Sequence, residues 1–439
     1  MAEIDDQEGS AGLAPSAQPV LNQLRRDLRL VDAVGVGLGA IIGAGIFVVT
    51  GVAAGIAGPA FLIGLVLAGG VATLNALSSA QLAATYPQSG GTYEYGYRVL
   101  HPWLGFAAGW MFLASKLAAG GTVALGFAGY LNALIPAIPE RAAAVTVILF
   151  LALINYRGIR RTGRLNSLIV SISVLSLIYF VIAGLPAFDS ENLQPFAPAG
   201  WGAILQAAAL LFFAYTGYAR LATLGEEVHE PKKTIPKAIM LSLGISAVLY
   251  LAVATVAVGG IGAAAMAGTA APLEHAARVF PLPGVAQVIG VGATTAMLGV
   301  LLSQMLGISR MMFAMARRRD LPAVLDHVHP VHQIPDRGIL VTAIFLVLIA
   351  LFGTLESIVA SAAFTILLYY SITNLAALRM NPEDKLFPNW VPVLGLIACV
   401  ALAMTLRPTV IASGLGLLVA GFILRWLYRR LSGQGQPLE

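Results

Sequence analysis

The chain has 439 residues, of which 58% are hydrophobic and 11% charged, and it carries a formal net charge of +5. This composition excludes an ordinary soluble domain and points to a polytopic membrane protein. The basic residues are scattered over separate loops. That excludes a concentrated nucleic-acid face and is accounted for by anionic inner-leaflet lipid.

Residues 1–24 are polar, acidic and rich in small residues, as expected of a disordered cytoplasmic tail. They lack the basic start, apolar run and cleavage site of a signal peptide. Beyond them, apolar runs long enough to cross a bilayer recur about twelve times. They lie at roughly 31–56, 60–85, 103–131, 142–156, 165–187, 201–224, 236–261, 284–314, 339–354, 356–378, 390–406 and 408–429. The expectation is an all-α integral membrane domain over 25–430, followed by a second cytoplasmic tail at 431–439.

Orientation follows from Lys and Arg. With the N-terminus inside, the inner segments hold Arg25, Arg26, Arg29, Arg98, Arg157, Arg160, Arg161 and Arg164. Further along they hold Lys232, Lys233, Lys237, Arg317, Arg318, Arg319, Arg337, Arg379, Lys385, Arg425, Arg429 and Arg430. The outer loops hold only Arg141, Arg278 and Arg407. This bias predicts a multi-pass protein of the cell membrane with both termini cytoplasmic.

The first span contains Gly39-Ala40-Ile41-Ile42-Gly43-Ala44-Gly45-Ile46-Phe47 and the sixth contains Phe212-Phe213-Ala214-Tyr215-Thr216-Gly217-Tyr218. Glycine weakens a lipid-embedded helix, and opened backbone at that depth must be buried in protein or line a cavity. A matched pair of interrupted helices points to a transporter's binding site. In the third span, Gly105-Phe106-Ala107-Ala108-Gly109 is a small-residue packing face.

Lys116 lies about thirteen residues, or ~20 Å, past the start of the third span, too deep to snorkel easily. A charge at a helix centre costs at least about 2.5–3.5 kcal/mol on insertion scales, so Lys116 is a candidate proton carrier. Ser303 is a hydroxyl within the eighth span, in Leu301-Leu302-Ser303-Gln304. His327, His329 and His332 cluster near Asp326. Without Cys, or a helix to fix their geometry, they do not predict a metal site. Cys399 is the one cysteine, so no intrachain disulfide is available.

Segments 31–187 and 201–378 each open with a broken helix and each hold five spans. Five is odd, so the second half enters from the opposite side, the plan of an inverted repeat. Residues 390–429 supply two extra helices.

Four stretches together carry a family resemblance. They are Gly39–Phe47; Tyr86-Pro87-Gln88-Ser89-Gly90-Gly91-Thr92-Tyr93-Glu94-Tyr95; Phe213–Gly217 with Gly225-Glu226-Glu227-Val228 and Pro231; and Ser309-Arg310-Met311-Met312-Phe313-Ala314-Met315-Ala316-Arg317 with Leu321-Pro322. In them the chain resembles the amino acid–polyamine–organocation (APC) permease superfamily over about residues 28–430. The resemblance implies a LeuT-type five-plus-five inverted repeat with two added C-terminal helices. It also implies secondary transport of amino acids or related amines.

The resemblance further implies a site. The N–H groups of Ala44, Gly45 and Ile46, after Gly43, would form a helix N-terminus that suits a carboxylate. Carbonyls of Ile41, Phe213, Ala214 and Thr216 would receive the substrate amine. Tyr215, with Phe213, is a candidate gate, and Glu226 and Glu227 are candidates for an inner gate. Sodium-coupled relatives use positions that map to Gly39, Ile42, Gly299 and Ser303. Proton-coupled relatives place a lysine at the position of Ser173, a departure that leaves both coupling ions, H+ and Na+, open.

The rival classes have less support. A membrane enzyme would need a catalytic constellation inside the spans, and none is seen. No ATP-binding loop suggests a pump. A non-transporting amino acid sensor would be favoured by a large signalling domain. No Asp or Glu lies deep in the first, third, sixth or eighth spans, so the expected substrate is a neutral amino acid. No other cofactor and no partner beyond membrane lipid is expected. Oligomeric state is not legible.

Overall fold

A computed structural model of the protein describes residues 28–86, 90–158, 163–222 and 228–431. The expected terminal tails apart from Leu431, Gly225 to Glu227, and Pro87 to Ser89 of the second stretch lie outside these residues. Among the described residues every regular element is helical, and the one β contact is an isolated bridge between Leu28 and Val228.

The first segment starts as α1 (Leu30–Ile41), opens at Ile42, and resumes through a π-helical stretch, Gly45–Val49, into α2 (Thr50–Ala57). A turn at Gly58-Pro59 then leads into α3 (Phe61–Thr85). Gly58 has φ 61°, a left-handed conformation that costs glycine little. Pro59 then stands at the start of a new turn, where its missing N–H is no loss.

Next come α4 (Pro102–Leu134), α5 (Glu140–Tyr156), α6 (Gly163–Gly184) and α7 (Gly200–Tyr215). α7 ends in a 3-10 turn, Thr216–Tyr218. After it come α8 (Pro231–Ala267) and α9 (Val285–Arg317). The chain then forms α10 (Asp336–Phe352), α11 (Leu355–Leu378), α12 (Trp390–Met404) and α13 (Pro408–Leu431). α8 runs past the apolar stretch predicted at 236–261 at both ends: Pro231 starts it, and its C-terminal end bends where Gly262 leaves helical geometry.

Each apolar segment read from the sequence is helical over most of its described residues. Among the described residues eight helical stretches are long and apolar enough to cross a membrane, and the first of these, Leu30–Thr85, joins two of the predicted spans. The outer surface is apolar: Trp201 is 68% exposed and Leu340 61%. Such side chains suit hydrocarbon, and the helices satisfy their own backbone groups. This is a multi-pass membrane protein. α4 packs against α9 and α11, while α3 packs against α7 and α8 and α1 against α8. Both broken segments therefore sit inside the helix assembly.

Candidate functional site

The two breaks face each other across a small, partly open cavity of about 50 Å³. Ile42 is extended, with φ −74° and ψ 106°, so the chain leaves helical geometry there. The first N–H groups of the resumed helix thus have no complete preceding turn to bond to. On the other side, Tyr215 and Thr216 close α7 into its 3-10 turn.

Glycine allows the two broken chains to touch. A Cβ on Gly217 would overlap the backbone of Ala40 and Ile41, and one on Gly45 would overlap the backbone of Ala214. Gly45 therefore makes room for the facing break. At Gly43 the nearest atoms a Cβ would meet belong to the Val300 side chain, with Cγ2 at 3.0 Å.

Side chains brace the opened backbone. Tyr250 Oη donates to the Ile41 carbonyl at 2.8 Å. Tyr130 Oη donates to the Phe47 carbonyl at 2.7 Å and accepts from the Leu273 N–H at 3.2 Å. Thr216 Oγ1 donates to the Phe213 carbonyl at 2.9 Å. Satisfying freed carbonyls in this way keeps a break stable at membrane depth. It also means that two of the expected amine acceptors are already engaged: the Ile41 carbonyl by Tyr250, and the Phe213 carbonyl by both the N–H and the hydroxyl of Thr216.

The cavity brings together most of the residues expected at it. Ile41, Gly43, Ala44 and Gly45 line one side, and Phe213, Ala214 and Thr216 line the other. Ile46 is fully buried in the core and is not part of the lining. Tyr215 is buried too, with its hydroxyl donating to the Leu65 carbonyl at 3.3 Å and its ring against Tyr250. It faces α3 rather than the cavity, where a gate would stand.

Lys116 reaches the cavity wall from α4, and its Nζ lies 5.6 Å from the centre of the Phe112 ring. Among the described residues no ion pair or hydrogen bond engages that Nζ. Gln304 of α9 also lines the cavity, and its Nε2 donates to the Lys116 carbonyl at 2.7 Å. Sequence reading assigned Gln304 no role. The available signal was an amide in mid-span beside Ser303, and only the fold aims it at the cavity.

The coupling candidates are more dispersed. Ser303 Oγ donates to the Val300 carbonyl at 3.0 Å. Ser173 Oγ donates to the Ile169 carbonyl at 2.8 Å, so both hydroxyls serve their own helices. A Cβ on Gly39 would sit 2.6 Å from Val170 and 3.2 Å from Asn166 Oδ1, so Gly39 approaches α6. Ile42 is buried at the break, and Gly299 is buried on α9. Among the described residues no group of three His, Cys, Asp or Glu side chains is placed to hold a metal ion. His327 instead pairs with Asp336 at 2.8 Å, and His329 stacks on His332.

A second polar cluster lies at the other end of α9. The Asp320 side chain is fully buried and accepts from Tyr93 Oη at 2.8 Å, from Tyr97 Oη, and from Arg429 at 3.0 Å. Arg425 Nε lies 2.8 Å from the same carboxylate.

Comparisons with known proteins place the chain in a family. The family model for amino acid permeases matches residues 32–428. An uncharacterized transporter of Mycobacterium tuberculosis is 41% identical over 418 residues, covering 94% of each chain. The methylthioribose transporter of Bacillus subtilis is 33% identical, over 94% of this chain and 96% of its own. The branched-chain amino acid permease of Bacillus subtilis is 30% identical, over 93% and 94% respectively. With a family match from the first span to the last, and a cavity between two broken helices, the chain belongs to the amino acid permease family of the APC superfamily.

Proposed function

We propose that the protein is a secondary active transporter that moves neutral amino acids across the cell membrane by alternating access. The observation that carries this reading is the cavity shared by the two helix breaks, Ile41–Gly45 and Phe213–Gly217. Backbone donors at the first break suit an α-carboxylate, and carbonyls at the second suit an α-amine. The reading includes twelve spans in a five-plus-five inverted arrangement, with both termini cytoplasmic. A neutral substrate is supported by the lining: among the described lining residues none is acidic, and Lys116 opposes a cationic side chain. The relative named as a branched-chain amino acid permease points the same way.

Coupling runs through protons at Lys116, or the protein exchanges substrates. An ammonium at the cavity repels a second cation held nearby, which disfavours sodium. Sodium bound near Gly39, Ile42, Gly299 and Ser303 is the alternative. The test is uptake into proteoliposomes of a panel of labelled amino acids, with the sodium and pH gradients varied independently. Accumulation of neutral amino acids driven by a pH gradient is expected. If no amino acid is taken up or exchanged under any gradient, the transport reading fails and a non-transporting sensor takes its place.

A further inference from the structure

Lys116 and Gln304 occupy one wall of the cavity, apart from the backbone groups of the two breaks. The Gln304 amide is oriented by its contact. A carbonyl oxygen only accepts, so the Gln304 atom 2.7 Å from the Lys116 carbonyl is the donating nitrogen. That leaves Oε1 as the free end of the amide, and no hydrogen bond to it is found among the described residues. Lys116 Nζ, also without a hydrogen bond or ion pair among them, is purely a donor. This wall therefore offers a ligand one acceptor and one cationic donor.

We propose that Lys116 and Gln304 form a side-chain subsite that selects amino acids ending in a primary carboxamide, glutamine or asparagine. This rests on the amino acid transport reading above and narrows its substrate class. A carboxamide carries one carbonyl acceptor and one NH2 donor. Its oxygen meets Lys116 Nζ while its nitrogen meets Gln304 Oε1, so both protein groups are satisfied at once. An aliphatic side chain displaces the water around both and leaves them unpaired, and an unpaired buried polar group carries its full desolvation penalty. A carboxylate pairs with Lys116 but sets lone pairs against Gln304 Oε1. A cationic side chain is repelled by Lys116. Sites built on hydrogen bonds discriminate strongly against analogues that lack the bonding group, because the site's own groups are then stranded.

The test is ligand-induced thermal stabilisation of the purified full chain, titrated with glutamine, asparagine, leucine, methionine, glutamate and arginine. Wild-type protein is expected to bind glutamine or asparagine at least about tenfold more tightly than leucine or methionine. In Gln304→Met that preference should fall to about twofold or less, because carboxamide binding weakens and leucine no longer strands the amide oxygen. Wild-type protein that binds leucine or glutamate as tightly as both carboxamide amino acids overturns the proposal, and this arm needs no variant to fold. A folded Gln304→Met that keeps the full preference overturns it as well. If none of the six ligands stabilises wild-type protein, this proposal and the amino acid reading fall together. Leucine binding without a carboxamide preference sinks this proposal alone.

Discussion

Arg425 Nε of α13 lies 2.8 Å from Asp320 Oδ1, with 6% of the arginine side chain exposed and none of the aspartate. Its Nε–H is not aligned as a hydrogen bond, but its second guanidinium arm donates to Tyr97 Oη at 2.8 Å. The pair ties the last helix to the turn after α9. Removing one partner of such a buried pair strands the other charge and costs about 3–5 kcal/mol. Asp320→Ala is therefore expected to lower the thermal unfolding temperature markedly, and Asp320→Ala with Arg425→Met by less than the sum of the single changes. Thermal unfolding of the three variants in one detergent measures this. An unchanged midpoint in Asp320→Ala would refute it.

The break-to-break contact predicts a sharp contrast among glycines. Gly217→Ala and Gly45→Val force atoms into the facing backbone, where no side chain can swing aside. Overpacking of that kind costs typically about 1–3 kcal/mol and more where only backbone can move. Both variants should lose stability and ligand binding together. Gly43→Ala meets the Val300 side chain and should remain folded within about 1 kcal/mol of wild type. Thermal unfolding with and without ligand separates these cases. A stable Gly217→Ala with full binding would mean that the two breaks do not need their close approach.

The helix N-terminus at Ala44 and Gly45 predicts that the substrate's carboxylate is required. Neutral amino acids should stabilise the purified protein, and their decarboxylated amines should not. Anions at a helix N-terminus gain about 0.3–1 kcal/mol when exposed and up to about 2 kcal/mol when partly buried, on top of the hydrogen bonds they receive. Competition between an amino acid and its amine measures this directly. If putrescine or agmatine bound as well as any amino acid, a polyamine substrate would replace the amino acid.

Lys116 and Ser303 give opposed predictions for coupling. With Lys116 as the proton carrier, uptake follows a pH gradient, and Lys116→Met abolishes gradient-driven accumulation while exchange persists. With a sodium site, uptake requires sodium, and Ser303→Ala raises the sodium concentration needed, because losing one oxygen ligand weakens a hard-cation site. The first outcome is expected. Sodium-driven uptake that ignores pH and survives Lys116→Met would reverse the assignment.

Much of this protein is legible along the chain because hydrocarbon imposes a simple rule. A long apolar run must be helix, and glycines that interrupt one must open onto protein or a cavity. Both breaks, Gly43-Ala44-Gly45 and Thr216-Gly217, and the depth of Lys116 follow from that rule. The partners of these residues do not. Tyr250 on the Ile41 carbonyl, Ala214 against Gly45, Gln304 on the Lys116 carbonyl and Asp320 beneath Arg425 each join segments far apart in sequence. Tyr215 shows the same limit, since its position in the motif does not say that it turns toward Leu65. Local composition determines whether a segment enters the membrane and where its helix weakens. Which face of that helix meets which neighbour depends on packing among many helices at once, where no hydrophobic gradient between lipid and protein directs the choice.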